Sequence, residues 1–431
     1  MVLLARSHLL LRRPAFVRSI ASQAARSLLV INAGSSSLKY KLFALDGKSG
    51  VGAPVFAGLV ELSNAQSPDG RLVHENLAVP GTKKQEIRVP LPTHRVALEE
   101  AVQRFFGDNV HGIQAIGHRV VHGGERFHDA SLLTPEVIGA ITDNISLAPL
   151  HNPANLLGIE VATEVFGSKV PQVGVFDTAY HATMPAKAYT YAIPNELYEK
   201  HGVRRYGFHG TSHQYVAQQA AKHLGKRLEK SNFITCHLGN GSSMAAIRHG
   251  KCIDTTMGLT PLEGLVMGTR SGDVDPALHN FLASQLNMTI PQIDKLLNKQ
   301  SGLLGICGDS DIRKIQDRIR QKKDPQADLA LDVFSHRVRK YLGAFFLELA
   351  GDVDGIIFTA GIGENSAMVR ERVCRNLRTL GIELDEEKNA RSMLGAGPIE
   401  IQAKDARVKV LVIPTDEERS IAEQTHKIAL E

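Results

Sequence analysis

Three knots of small residues stand at the ends of apolar runs. They are Asn32-Ala33-Gly34-Ser35-Ser36-Ser37, Gly239-Asn240-Gly241-Ser242-Ser243 and Gly361-Ile362-Gly363-Glu364-Asn365-Ser366. Small residues let backbone amides approach an oxyanion closely, and serine hydroxyls add donors. One Gly-Ser knot is an ordinary hairpin turn; three of them point to phosphate. In the third knot, Gly361 and Gly363 are expected to take positive φ and free their N–H groups for an anion. No G-x-x-x-x-G-K-[ST] run and no G-x-G-x-x-G run is present, so neither a P-loop nor a dinucleotide fingerprint supplies the scaffold.

The charged and titratable residues near these knots are of matching kinds. Arg119 follows an apolar run in GHRVVHGGERF, and Arg270 lies among small residues in MGTRSGDVDP. A guanidinium fork matches carboxylate and phosphate oxygens bidentately. Each arginine reads either as an anion ligand or as a solvated loop residue. His209 and His213 stand at i, i+4 in RRYGFHGTSHQYV, but no Glu lies between them as a zinc helix requires. Thr211 or Ser212 is expected to be the N-cap there. That puts His209 just before a helix start, either donating to a phosphoryl oxygen or packing beside the cap. Asp177 in VFDTAYH ends a strand, where α/β sheets host ligands, or it is a cap or turn residue. In IPTDEERSIA, Thr415 or Asp416 reads as a cap, and Glu417 serves first-turn amides or holds Mg²⁺.

Bulk properties narrow the class. A chain of 431 residues suggests two or three domains. Net charge is +5, part of it in the first 27 residues, and Trp is absent. No Lys/Arg block with interleaved aromatics is seen, which excludes nucleic acid as a leading partner. Cys236, Cys252, Cys307 and Cys374 are far apart, so no disulfide or zinc framework is expected, consistent with a reducing compartment. No stretch approaches the ~20 apolar residues of a membrane span. Residues 1–27 carry Arg6, Arg12, Arg13, Arg18 and Arg26, and the first acid of the chain is Asp46. This is the composition of an organelle transit peptide. A mitochondrial (matrix) address is favoured over a plastid because Arg outweighs Ser; a plain basic tail is the alternative.

The elements that position these residues alternate, so the fold class is α/β. Strands are expected at 28–32, 39–44, 115–118, 172–176, 233–237, 243–247, 355–359 and 408–413. Antiparallel strands are expected within 59–92. Helices are expected at 95–106, 135–145, 153–166, 212–224, 290–300, 328–350 and 417–428. The run FITCHLGNGSSMAAI repeats the form of LLVINAGSSSLKY: strand, glycine-serine turn, strand. Two such copies suggest two similar domains.

The ordered set NAGSSSLK, GHRVVHGG, PLHNPANL, FDTAYH, RRYGFHGTSH, HLGNGSS, TPLEGLVMGTRSGDVDP, FTAGIGENS and IPTDEE resembles the acetate kinase family over Leu28–Glu431. The resemblance implies two duplicated actin-like (ribonuclease H-like) domains with a central cleft. They would divide as 28–180 plus 414–431, and 181–413 on the nucleotide and dimer side; it also implies a homodimer. The implied reaction is reversible in-line transfer from ATP to acetate, giving acetyl phosphate and ADP, with Mg²⁺ or Mn²⁺. The resemblance puts Asn32 and Glu417 at the metal. Around ATP it puts Ser35, Ser37, Lys39, His151, His237, Leu238, Gly239, Asn240 and Gly241, with Asp311, Ile312, Arg313, Gly361, Ile362, Gly363, Glu364 and Asn365. Of these, Asp311, Ile312, Arg313 and Gly361 face adenosine, and Ile312 replaces an aromatic of some relatives. Arg119 and Arg270 flank acetate and the moving phosphoryl group, and His209 hydrogen-bonds that group in the transition state. Asp177 lies beside the acceptor, and Val121, Leu150, Phe208 and Pro261 form a methyl pocket. Propionate or butyrate phosphorylation is the near alternative; a non-catalytic ATP-binding module is the distant one. Acetate is already ionised near neutral pH, since carboxylic acids titrate at ~4–5. No base is needed, so Asp177 is expected to orient an arginine or the acetate rather than take a proton.

Overall fold

The computed structural model describes residues 26–47, 50–64, 67–79, 81–149, 151–391 and 397–431. Residues 1–25, most of the segment expected as a transit peptide, and Leu150 of the expected methyl pocket lie outside the described residues. Apolar runs at Leu28–Ile31 and Phe233–Leu238 are buried on both sides, and each becomes the central strand of a sheet.

The first sheet contains β1 (Ser27–Ala33), β2 (Ser37–Asp46), β3 (Gly50–Glu61), β4 (Gly70–Asn76), β5 (Gln85–Val89), β6 (Ile113–Val120), β7 (Ser131–Leu132) and β8 (Gln172–Phe176). Their order is β5-β4-β3-β2-β1-β6-β8-β7. The second contains β9 (Asn232–Leu238), β10 (Ser242–Arg248), β11 (Lys251–Thr255), β12 (Gly355–Thr359), β13 (Ile399–Glu400) and β14 (Lys409–Val412), in the order β11-β10-β9-β12-β14-β13. The two sheets share one plan. A central strand pairs antiparallel with the strand after it (β1 with β2, β9 with β10) and parallel with a later one (β6, β12). The next parallel strand is β8 or β14, and a two-residue strand caps it antiparallel. The echo between the two glycine-serine turns is therefore a true structural duplication, and the fold is a pair of actin-like α/β units.

Strand alternation decides which helices cover which face. Leu29 and Ile31 pack with helices His94–Ala101 and Asn152–Phe166, while Leu28 and Val30 pack under helix Glu417–Ala429. Helix Glu417–Ala429 lies so close to β6 that a Cβ on Gly117 would sit 2.3 Å from Thr425 Oγ1. That contact fixes the glycine two residues before Arg119. On the second sheet, Val216, Ala217 and Ala220 of helix Gly210–His223 cover one face. The long helix Pro325–Glu348 covers the other through Leu331, Phe334, Val338, Leu342 and Phe345, so its apolar content serves the core.

Several local expectations are corrected. The Arg95–Phe106 helix is α-helical only to Ala101 and continues as a π-turn over Val102–Phe106, where Phe106 is driven into the core. Neither Thr211 nor Ser212 is an N-cap. The helix starts at Gly210, and His209 itself occupies the cap position at φ +57. Gly361 and Gly363 do not take positive φ; Ala360 does, at +62, and the glycines continue a short helix, Ala360–Asn365. The last helix is capped as expected, by Asp416, which accepts from Arg419 N at 3.1 Å. Among the described residues no helix is long and apolar enough to cross a membrane.

Candidate active site

Parallel strands deliver side chains to one end of each sheet. At the end of β6, Arg119 meets Asp177, one residue past β8. The contact is a full fork: Nε donates to Oδ1 at 2.9 Å and Nη2 to Oδ2 at 2.7 Å. Glu417 lies 3.9 Å from Arg119 Nε. Burial works against the Arg119 charge, but Asp177 and Glu417 outweigh it and hold the guanidinium more firmly protonated than usual. Asp177 is 1% exposed, and its carboxylate is engaged with Arg119. The Glu417 carboxyl is raised by burial and by Asp177, against the opposing pull of Arg119 and Lys39.

Arg270 differs. It donates to Pro261 O at 3.1 Å, and no carboxylate of the described residues stands within ion-pair distance. Burial and the Arg119 charge both lower its pKa. Two guanidiniums therefore face one space, and only one of them has counter-ions. His151, at the start of helix Asn152–Phe166, borders the same space. Burial first, then Arg270 and Arg119, push it down to about 4. His209 is held against His237 with ring centroids 4.2 Å apart. A Cβ on Gly241 would lie 3.5 Å from both Arg270 Nη1 and His209 Nε2, so the β9–β10 turn sits beside both. Burial keeps His209 and His237 below the usual imidazole range. The site is thus a cationic clamp lined by neutral donors, a setting that suits an anion taking on a second anion.

The second strand pair positions the rest. Asn240 O accepts from Gly268 N at 3.0 Å, tying the β9–β10 turn to the loop that carries Arg270. A Cβ on Gly268 would fall 2.1 Å from Asn240 Oδ1, so a larger residue there would displace the Asn240 side chain. His237, Leu238, Gly239 and Gly241 belong to β9 or its turn. Ser35 is exposed and Ser37 half-buried in the β1–β2 turn, and Lys39 pairs across the ladder with Asn32. Val121 and Phe208 join Met257 and Met267 in one small buried apolar cluster, with Pro261 linked through Arg270. Met257 and Met267 were missed from sequence; the signal for Met267 was its place three residues before Arg270.

The remaining expected residues lie on helices that pack on the second sheet. Asp311 caps helix Ile312–Lys322 and forks with Arg313 at 2.7 and 3.0 Å. Those bonds hold its carboxyl down at about 2. Ile312, expected at adenosine, is 8% exposed and packs with the second sheet's core. Gly361 and Asn365 are exposed, and Asn365 Nδ2 donates to Gly361 O at 2.9 Å. Ile362, Gly363 and Glu364 are interior. Glu364 accepts from Thr415 N at 3.1 Å and latches the chain just before the last helix.

Asn32, near the end of β1, and Glu417, at the start of the last helix, carry oxygen donors of the hard kind that Mg²⁺ takes. No group of three or more His, Cys, Asp or Glu among the described residues could hold a metal alone. Mg²⁺ commonly completes its shell with water and substrate phosphates, so this donor set fits it.

A duplicated actin-like frame around such a clamp defines a phosphotransferase with a carboxyl group as acceptor. The chain belongs to the acetokinase family, whose sequence model matches residues 27–423. It is 50% identical over 407 residues to an acetate kinase of Oleidesulfovibrio alaskensis, covering 92% of this chain and 98% of that protein. The crystal structure of Porphyromonas gingivalis acetate kinase superimposes with a TM-score of 0.85 at 43% identity, covering 94% of this chain and 100% of that one. A propionate kinase from Francisella tularensis gives a TM-score of 0.85 at 41% identity, covering 94% and 100%.

Proposed function

We propose that this chain is an acetate kinase that moves the γ-phosphoryl group of ATP to acetate, reversibly and in line, giving acetyl phosphate and ADP. The observation that carries the reading is Arg270: a part-buried guanidinium beside Arg119 with no carboxylate partner among the described residues. Such a charge calls for an anionic substrate. Arg119, oriented by Asp177, and Arg270 hold the carboxylate and the phosphoryl oxygens, where transition-state charge is spread. Asp177 spends both carboxylate oxygens on Arg119, so it orients that arginine and takes no proton. His209 donates to the phosphoryl group, with His151 and Asn240 beside it. Asn32 and Glu417 are the residues that would hold Mg²⁺, which neutralises phosphate charge. Ser35, Ser37 and Lys39 on one turn, and Gly239 and Gly241 on the other, face ATP from opposite domains, 28–180 plus 414–431 and 181–413. Closure of those domains excludes water that would otherwise hydrolyse ATP.

The Francisella tularensis likeness supports propionate as a second acceptor, since one methylene changes discrimination by only ~1–3 kcal/mol. The test is a hydroxylamine trap for acyl phosphate with ATP, Mg²⁺ and a panel of short acids. Acetyl hydroxamate is expected in greatest yield; hydroxamate from no acid would overturn the reading. A homodimer is part of the same proposal, supported by the family resemblance and checked by sedimentation of the full chain.

The arginine-rich, acid-free segment 1–27 supports a mitochondrial matrix address for an organelle-targeted eukaryotic form. Fused to a fluorescent reporter, it should direct the reporter to mitochondria. A plastid or diffuse signal would contradict this.

A further inference from the structure

Behind His209 runs a file of buried polar groups that the clamp does not use. His209 Nδ1 lies 2.9 Å from Ser243 Oγ, and Ser243 Oγ lies 2.8 Å from His213 Nε2. His213 Nδ1 lies 2.7 Å from Thr235 Oγ1. Ser243, His213 and Thr235 are all 0% exposed. Two periodicities build the file. Thr235 on β9 pairs with Ala245 on β10, so Thr235 and Ser243 share the sheet face beneath helix Gly210–His223. His213 lies one turn beyond His209 over that face. The i, i+4 spacing that resembles half a zinc motif is explained by this file.

Proton counting gives the file a direction. A hydroxyl has one proton to donate, and a neutral imidazole has one N–H. The groups facing His209 are His237, His213, Arg119 and Arg270, and with burial they keep the ring neutral. The file therefore has two self-consistent settings. In one, Thr235 donates to His213 Nδ1, His213 Nε2–H donates to Ser243, and Ser243 donates to His209 Nδ1. His209 then carries its proton on Nε2, beside Gly241 and Arg270 at the cleft. In the other, every bond is reversed and Thr235 must donate to Ala245 O at 3.4 Å, near the limit of a hydrogen bond. That setting also turns a bare Nε2 lone pair toward the cleft, which repels an anion.

We propose that Thr235, His213 and Ser243 are positioning residues that hold neutral His209 as its Nε2–H tautomer, so that it donates to the anion in the cleft. The identity of that anion as a phosphoryl group rests on the phosphotransferase reading; the tautomer does not. A histidine kept neutral by its surroundings can still be an oriented donor, provided something else fixes which nitrogen carries the proton.

The test uses the full chain with ¹⁵N-labelled histidine and inorganic phosphate as the probe. His209 is assigned by the signal lost in His209→Asn, and long-range ¹H–¹⁵N spectra report its protonated nitrogen. A single proton on Nε2, unchanged between pH 6 and 8, is expected. A proton on Nδ1, or on both nitrogens, would overturn the proposal. Thr235→Val removes the far hydroxyl without touching His209. It should lower kcat for acyl phosphate formation about 10-fold or more, less than the ~10²–10³ of losing a transition-state donor outright. KM for acetate should stay unchanged, and Thr235→Ser should restore kcat. A Thr235→Val enzyme with wild-type kcat and tautomer would also overturn it. If the wild type makes no acyl phosphate, the kinase reading fails while the tautomer remains readable by NMR.

Discussion

The two glycine-serine hairpins have the same topology and opposite chemistry. The β1–β2 turn stands among charged groups: Lys39 on its second strand, with Arg119, Asp177 and Glu417 beyond the next strand ends. Its backbone is pinned by His94 Nε2 at 2.7 Å from Gly34 O. The β9–β10 turn is backed by neutral imidazoles, His209, His213 and His237, and buried hydroxyls. A formal charge at its tip is the Arg270 guanidinium, 3.5 Å from where a Cβ on Gly241 would sit. Duplication supplied the frame twice, and side chains then divided the work: one copy gathers ions, the other supplies oriented dipoles that cost little to bury when fully paired.

Removing the charge without a counter-ion should break this division most severely. Arg270→Ala is expected to lower acyl hydroxamate formation by ~10²–10³, read from initial rates at saturating ATP. A rate near wild type would remove Arg270 from the site. Next comes the joint between the halves. A Cβ on Gly210 would sit 2.3 Å from Asp177 O. Gly210→Ala should therefore displace both Asp177 and His209, destabilising the chain by about 1–3 kcal/mol and reducing kcat. Denaturant melts and kinetics on the same preparation check both effects, and unchanged kcat would show that the joint is not needed.

Buried imidazoles in both halves should also make stability pH-dependent. His118, His122, His151, His181 and His237 are pushed down to about 4, chiefly by burial. Their folded pKa values lie below the unfolded 6.5, so the unfolded chain binds more protons between those limits. This stability is present above pH 6.5 and lost as pH falls toward 4. Raised carboxyls such as Glu364 act in the opposite sense and are fewer. Thermal melts should show Tm dropping steadily from pH 6.5 downward; a flat Tm to pH 5 would contradict it. The smallest effect belongs to Lys41, whose Nζ lies 2.9 Å from Asp416 Oδ1 with both side chains partly exposed. Lys41→Ala should cost about 0–1 kcal/mol in a denaturant melt, leaving kcat unchanged.

Much of this was legible in the chain itself. The central strands read clearly because their apolar runs are short and end in glycine, and the turn at 34–36 has its twin at 239–241. Arg119 and Asp177 stood out as polar residues at strand ends, and Arg270 as a cation among small loop residues. Other features depend on distant packing that no local pattern carries. Gly361 and Gly363 looked like the flexible positions, yet the left-handed residue is Ala360. Gly363 lies where the short helix packs on β9, and a Cβ there would sit in ordinary contact, 3.4 Å from Cys236 O. Ile312 stands among charged residues in the sequence, and only the helix that Asp311 caps shows it to be part of the core. Ser243 and Thr235 were indistinguishable from ordinary strand residues until β9 and β10 were aligned beneath helix Gly210–His223.

The central claim is that Arg119 and Arg270, delivered by different halves of the molecule, hold one anion together in the transition state. A double-mutant cycle on kcat/KM for acetate, with Arg119→Ala, Arg270→Ala and both, tests it most directly. Strong non-additivity is predicted, with the double variant falling little below the worse single one. Losses that multiply independently would show that the two arginines serve separate ligands and would contradict the account.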